Sequence, residues 1–99
     1  MPSYTVIIQP EAELDLDDAY QYLEDQRSGL GFDLLAEISD ILGILEINPF
    51  LFQKVYGEKR RAMTKRFDYN IIFVIKDQQV FILAIIHGSR DSKLSLIHI

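Results

Sequence analysis

The chain contains no cysteine, which removes at once a disulfide framework, a thiolate metal site and a thiol nucleophile, and suits a reducing compartment. It also lacks a hydrophobic run long enough for a membrane helix. Its most apolar stretch, Tyr69 to His87, is broken by Lys76-Asp77-Gln78-Gln79, and the two pieces fall short of the roughly 20 residues that span a bilayer. The opening Met1-Pro2-Ser3-Tyr4 lacks the charged and apolar regions of a secretory signal. A soluble, cytoplasmic protein with no membrane partner is therefore expected. There is no glycine-rich phosphate loop, no Ser/His/Asp order and no histidine pair at zinc spacing, so neither metal nor cofactor is expected. Repeats, linkers and low-complexity tracts are absent as well. What is present is 99 residues, 48% of them hydrophobic, and a chain of that size buries roughly two thirds of its unfolded surface in a single core.

The first half is also short of positive charge. Residues 1 to 50 hold Arg27 as their single cation against eleven carboxylates, a net of −10, whereas residues 51 to 99 hold nine cations against four carboxylates, a net of +5. The overall charge of −5 argues against nucleic acid as the main partner, yet it conceals a basic segment. Lys54, Lys59, Arg60, Arg61, Lys65 and Arg66 fall within thirteen residues, opposed there only by Glu58. Such a cluster points to an anionic partner.

The pattern of apolar residues places these charges on elements. Tyr4 to Gln9 is rich in β-branched residues and reads as a short strand ending at Pro10. From Pro10, apolar side chains recur at Ala12, Leu16, Ala19, Tyr20 and Leu23, with Glu11, Glu13, Asp15 and Asp18 in the early turns where the helix dipole favours anions. This predicts a helix that stops before Ser28-Gly29. A second helix is predicted from about Leu30 to Ile47, with Leu34, Leu35, Ile38, Ile41, Leu42 and Leu45 on its buried stripe and Asn48-Pro49 ending it. The two should form an antiparallel hairpin. Beyond Pro49 the period changes, and Phe52 to Tyr56, Arg60 to Arg66, Tyr69 to Lys76 and Gln79 to His87 read as consecutive strands. Short connections make them antiparallel neighbours, and the apolar character of the last two requires the hairpin to cover one side of the sheet. The expected fold is α+β: an N-terminal strand and a helical hairpin packed on a mainly antiparallel sheet.

On the predicted strand Arg60 to Arg66, Arg61 and Lys65 should share one face with Met63, and Arg60 and Arg66 should take the other. The alternative to a binding face is a solvated edge strand whose cations prevent aggregation. The acidic first helix, with Asp15, Asp17, Asp18, Glu24 and Asp25, points its carboxylates in different directions and is expected to be solvated. Tyr4 and Tyr22 are candidates for a contact surface, and Tyr20 for the core.

The segments Arg60-Arg61-Ala62-Met63-Thr64-Lys65-Arg66-Phe67-Asp68-Tyr69-Asn70-Ile71-Ile72-Phe73 and Ala84-Ile85-Ile86-His87-Gly88-Ser89-Arg90-Asp91, with Ala12, Asp15-Leu16, Tyr22-Leu23 and Asn48-Pro49, resemble the RelE/ParE superfamily of toxins from bacterial type II toxin-antitoxin modules. The chain looks closer to the ParE-like branch, and the likeness runs from about Tyr4 to Asp91. Asp68 departs from it by standing where the family commonly has proline. The region after Asp91 departs too, since relatives continue there with proline and an aromatic or basic segment.

The resemblance implies a growth-inhibiting toxin of the kind linked to plasmid stabilisation, neutralised by a cognate antitoxin that holds operator DNA, so that the toxin meets DNA only indirectly. ParE-like members act on DNA gyrase; RelE-like members cut messenger RNA on the ribosome. In the first case Lys59, Arg60, Arg61, Lys65, Arg66 and Arg90 would engage target or antitoxin. In the second, Arg61, Lys65, His87 and Arg90 would serve a metal-independent cleavage, which needs proton transfer from a group such as His87 or Tyr69 and cations at the crowded phosphate. A histidine closing an apolar strand is also a common structural residue. A truncated toxin that only binds antitoxin is the remaining reading. The tail Leu94-Ser95-Leu96-Ile97-His98-Ile99 resembles the translation of a transposon mosaic end from sequencing libraries, which would make residues 1 to 93 the domain and residues 94 to 99 a non-native scar.

Overall fold

Pro10 both ends the first strand and begins the first helix, because it has no amide to donate and the first helical position needs none. In the computed structural model, which describes residues 3–89, β1 (Thr5–Ile8) accordingly passes through Gln9 straight into α1 (Pro10–Gln26). Arg90, Asp91 and the Leu94 to Ile99 tail lie outside the described residues. After α1 the chain turns at Gly29, whose φ of 97° is in the region that favours glycine, and enters α2 (Leu30–Ile47).

The Glu24 carboxylate, in the last turn of α1, accepts the amides of Gly29 and Gly31 at 3.0 and 2.8 Å. One helix thereby caps the next, where amides would otherwise go unpaired. Gly31 makes the approach possible, since a Cβ there would lie 2.6 Å from the Tyr20 ring. Tyr20 meets Phe32 edge to face, with centroids 5.6 Å apart.

Asn48-Pro49 ends α2 as expected, but the next residues differ from expectation. The Asn48 side chain accepts the Phe50 amide and opens a 3-10 turn, Pro49–Leu51, so the following strand is only β2 (Lys54–Tyr56). β3 (Lys59–Met63), β4 (Tyr69–Lys76) and β5 (Gln79–His87) complete the elements. The sheet order is β1-β5-β4-β3-β2, with β1 parallel to β5 and every other pair antiparallel. Two helices on a mixed five-stranded sheet is the α+β arrangement that the sequence predicts.

One face of the sheet makes the core. Ala62, Tyr69, Ile71, Phe73, Val80, Ile82 and Ile85 meet Ala12, Ala19 and Leu23 of α1 and Leu34, Ile38, Ile41 and Leu45 of α2. Strand alternation sends Ile72 and Ile86 to the opposite face, where they are also buried, at 1% and 0% exposure. The near-continuous apolar runs of β4 and β5 thus reflect strands shielded on both sides.

A bulge adjusts the centre of the sheet. Ile72 faces Ala84 while Phe73 faces Ile82, so Leu83 is an extra residue in β5. β1 has ended by then, its last residue Ile8 standing opposite Ile82. The edge of β5 beyond that point is served by a side chain: the Asp15 carboxylate of α1 accepts the Ile85 amide at 3.0 Å. The expectation of a wholly solvated acidic helix fails at Asp15, which is 7% exposed. Among the described residues no three His, Asp or Glu side chains gather as a metal site, and no helix is long and apolar enough to cross a membrane.

Asp15→Ala should therefore cost about 1–3 kcal/mol, the usual penalty for a buried amide left without its acceptor. Asp15→Asn, which keeps an acceptor oxygen, should cost less. Urea denaturation of the three proteins measures both, and an alanine variant as stable as the parent would show that the bond contributes nothing.

Candidate functional site

β3 carries the cationic cluster, and its register assigns each residue to a face. Arg60 stands opposite Phe73, Arg61 opposite Ile72, Ala62 opposite Ile71 and Met63 opposite Asn70. Ala62 belongs to the core, so Lys59, Arg61 and Met63 occupy the face turned away from the helices. β2 adds Tyr56, paired with Lys59, and the Lys59 ammonium lies 5.9 Å from the centre of the Tyr56 ring. Tyr56 and Met63 are each about half exposed, at 47% and 49%. The result is a strip of mixed apolar and cationic side chains. Asn70 lies under the same face; its amide donates to the Ile86 carbonyl at 3.4 Å, while its Oδ1 accepts no hydrogen bond among the described residues.

The strand does not reach Arg66 as predicted, and the reason is Thr64. Its amide donates to the Tyr69 carbonyl and its hydroxyl oxygen accepts the Tyr69 amide, each at 2.9 Å, closing a turn after Met63. The turn is drawn onto α2, where the Glu37 carboxylate accepts the amides of Lys65 and Arg66 and Asp33 pairs with the Arg66 guanidinium at 2.9 Å. Lys65 and Arg66 are therefore turn residues, and the predicted sharing of a strand face by Arg61 and Lys65 is corrected. Asp68 completes the turn with a φ of 57°, a value closed to proline. This is a different turn from the proline one that the resemblance implies, not the same turn with a substituted residue.

Partners divide the cluster. The Arg60 Nη1 donates to the Phe52 carbonyl at 2.7 Å and its guanidinium lies 5.1 Å from the Phe50 ring centre, which ties the 3-10 turn to the sheet. Arg66 is held by Asp33 and covers Phe67. Lys54 pairs with Glu58 at 3.2 Å. Lys59, Arg61 and Lys65 have no anionic side chain within ion-pair distance among the described residues. β3 is also an interior strand, between β4 and β2, so its cations do not guard an edge.

His87 ends β5 opposite Tyr69. The two rings meet edge to face at 5.1 Å, and the His87 Nδ1 accepts the Ser89 amide at 3.2 Å. Beyond it, the Gly88 amide donates to the Asp68 carbonyl at 2.8 Å. Tyr69 is part of the core, so His87 lies on the helix side of the sheet and Arg61 on the other. The fold brings Lys59 and Arg61 together, moves Lys65 to a turn, and separates His87 from Arg61; Arg90 lies outside the described residues. Sequence reasoning missed Glu37 and Asp33 as the residues that hold the turn.

Comparison with known proteins gives a family and a fold. The family model for the ParE toxin of the type II toxin-antitoxin system parDE matches residues 6–92. A solved structure described as the chromosomal ParDE TA system from P. aeruginosa is similar at a TM-score of 0.75 and 16% identity, over 86% of this chain and 96% of that one. No curated protein sequence matches.

The division of the cations has a measurable consequence for stability. Arg60→Ala should lose about 1–2 kcal/mol, because it removes a charge-assisted hydrogen bond and a ring contact. Arg61→Ala should stay within about 0.5 kcal/mol of the parent. Equal losses in thermal or urea denaturation would mean that both arginines are structural.

Proposed function

The chain belongs to the ParE toxin family of type II toxin-antitoxin systems, and from that premise we propose that it inhibits growth by binding DNA gyrase and is neutralised by a cognate antitoxin that covers the same surface. The surface is the face of β3 turned away from the helices, with Lys59, Arg61, Met63 and Tyr56, extended by Lys65 in the turn. One observation carries this reading. Lys54, Arg60 and Arg66 are held by the protein itself, whereas Lys59, Arg61 and Lys65 meet no anionic side chain among the described residues and can receive an outside anion. An acidic antitoxin segment with apolar residues at intervals matches the strip in both charge and hydrophobicity. Occupying it would deny it to the target.

The ribonuclease reading requires Arg61, Lys65, His87 and Arg90 to converge on one phosphate. The register works against it, since His87 packs against Tyr69 on the helix side and Arg61 belongs to the other face. A protein acting through surface contact needs no such convergence.

Expression of Lys59→Ala/Arg61→Ala from a tightly controlled promoter should relieve the arrest caused by the parent chain, while His87→Ala should arrest growth as the parent does. Gyrase treated with the parent should accumulate cleaved DNA, and messenger RNA on purified ribosomes should stay intact. A folded but harmless His87→Ala variant, together with cleaved messenger RNA, would replace this proposal with the ribonuclease. Antitoxin binding without arrest by the parent would leave only a toxin that no longer poisons.

A further inference from the structure

The sheet has two outer edges, and among the described residues they are protected to different degrees. β2 is three residues long, its pairing with β3 shifts register between Lys54 and Tyr56, and Lys54 sits on it as an ion pair. Shortness, a bulge and charge are the usual safeguards of an edge strand. β1 is also short, at four residues, but it has neither bulge nor charge. It pairs in regular register with β5 along its full length, and Tyr4 to Gln9 contains no charged side chain.

The alternation of the ladder identifies which groups are open. The amides of Thr5 and Gln9 donate to the carbonyls of Gln78 and Ile82, at 2.9 and 3.0 Å. Ile7 falls between them on the same side, so the amides and carbonyls of Val6 and Ile8 point away from the sheet.

The surroundings specify what would bind. At the start of β1 the Ser3 and Tyr4 amides donate to the Glu46 carbonyl, and the Tyr4 ring meets Phe50 edge to face. Ile47, Phe50 and Leu51 near this point are exposed at 66%, 54% and 67%. The charges nearby are mainly acidic: Glu46 near the end of α2, and Glu11 and Glu13 in the first turn of α1, against Arg60, whose guanidinium lies over Phe50 and is held by the Phe52 carbonyl. From residue 28 to residue 53, and before Arg27, there is no lysine or arginine.

We infer that the outer edge of β1 is a strand-addition site for an extended segment of a protein partner, apolar at alternate positions and flanked by lysine or arginine. Such a segment would pair its backbone with Val6 and Ile8, rest apolar side chains against Ile47 and Phe50, and meet the surrounding carboxylates with opposite charge. A second copy of this chain is the poorer occupant. Two β1 strands related by a two-fold axis would share only about four hydrogen bonds. They would also set Glu11, Glu13 and Glu46 against the same residues of the mate. The edge is separate from the cationic strip, since β5 and β4 lie between β1 and β3, so the inference goes beyond the proposed function and does not depend on it.

Amide hydrogen exchange of the full chain, followed by NMR, tests the assignment. The probe is a short synthetic peptide of alternating valine and threonine with two lysines at each end, compared with a glutamate-flanked counterpart. Exchange should slow at Val6 and Ile8 with the lysine-flanked peptide alone, and stay unchanged at Thr5 and Ile7, which are already bonded. Thr5→Lys should abolish the protection without loss of fold, and Lys59→Ala/Arg61→Ala should leave it intact. No slowing at Val6 and Ile8 in a folded protein would overturn the site, and equal slowing by both peptides would overturn the charge assignment. Slowing that grows with protein concentration in the absence of peptide would give the edge to a second copy.

Discussion

The first strand pairs with the last in parallel, and this one constraint dictates most of the molecule. A parallel neighbour cannot be reached by a tight turn, so the intervening chain must cross the sheet before it returns to β5. The helical hairpin is that crossing, and it shields the face that receives Phe73, Ile82 and Ile85. Because β1 gives out opposite Ile82, the same constraint leaves a stretch of β5 beyond it that a side chain from α1 can serve. Asp15 serves it at Ile85, which explains a carboxylate among the buried alanines and leucine of α1.

The second organising feature is charge. The acidic half and the basic half meet where α2 takes hold of the turn after β3, through Glu37 on two backbone amides and Asp33 on Arg66. Much of what a charge count treats as available for a partner is therefore internal. Asp15, Glu24, Asp33 and Glu37 are engaged by the fold itself, as are Arg60, Arg66 and Lys54. The surface that remains is more sharply divided than the totals suggest, with acids around the β1 edge and cations on β3.

The sequence makes both helices and the two central strands legible because each has a strong local signal: Pro10 at a first turn, Asn48-Pro49 at a last, and apolar runs bounded by the Asp77-Gln78 turn. β3 is overextended because Thr64, Lys65 and Arg66 continue its composition, and the event that ends it is a bond between the Thr64 side chain and Tyr69, which no propensity contains. Asp15 did carry a signal. It lies three residues after Ala12 and four before Ala19, on the buried stripe of α1, and a carboxylate on such a stripe needs a buried donor. Glu37 gave no comparable sign, since its partners are amides 28 and 29 residues away. Likewise, Arg61 and His87 are both polar residues on strands, and only the register, with the slip at Leu83, assigns them to opposite faces.

A protein that works by contact, as proposed for this one, has to keep its binding groups out of its own hydrogen-bond network, and the contrast between neighbours on β3 fits that requirement. Arg60 and Arg61 are adjacent in sequence and chemically identical, yet strand alternation sends one toward Phe50 and Phe52 and the other to the face away from the helices. The first stabilises the 3-10 turn at a cost to its availability. The second has no anionic side chain within ion-pair distance among the described residues, which is what the proposed recognition role requires. Lys59 lies on the same face as Arg61, and its Tyr56 contact positions the ammonium without neutralising it, since an aromatic ring attracts a cation but carries no net charge. Charge on that strip therefore survives folding, and an acidic partner would find it in place rather than having to break an ion pair to reach it.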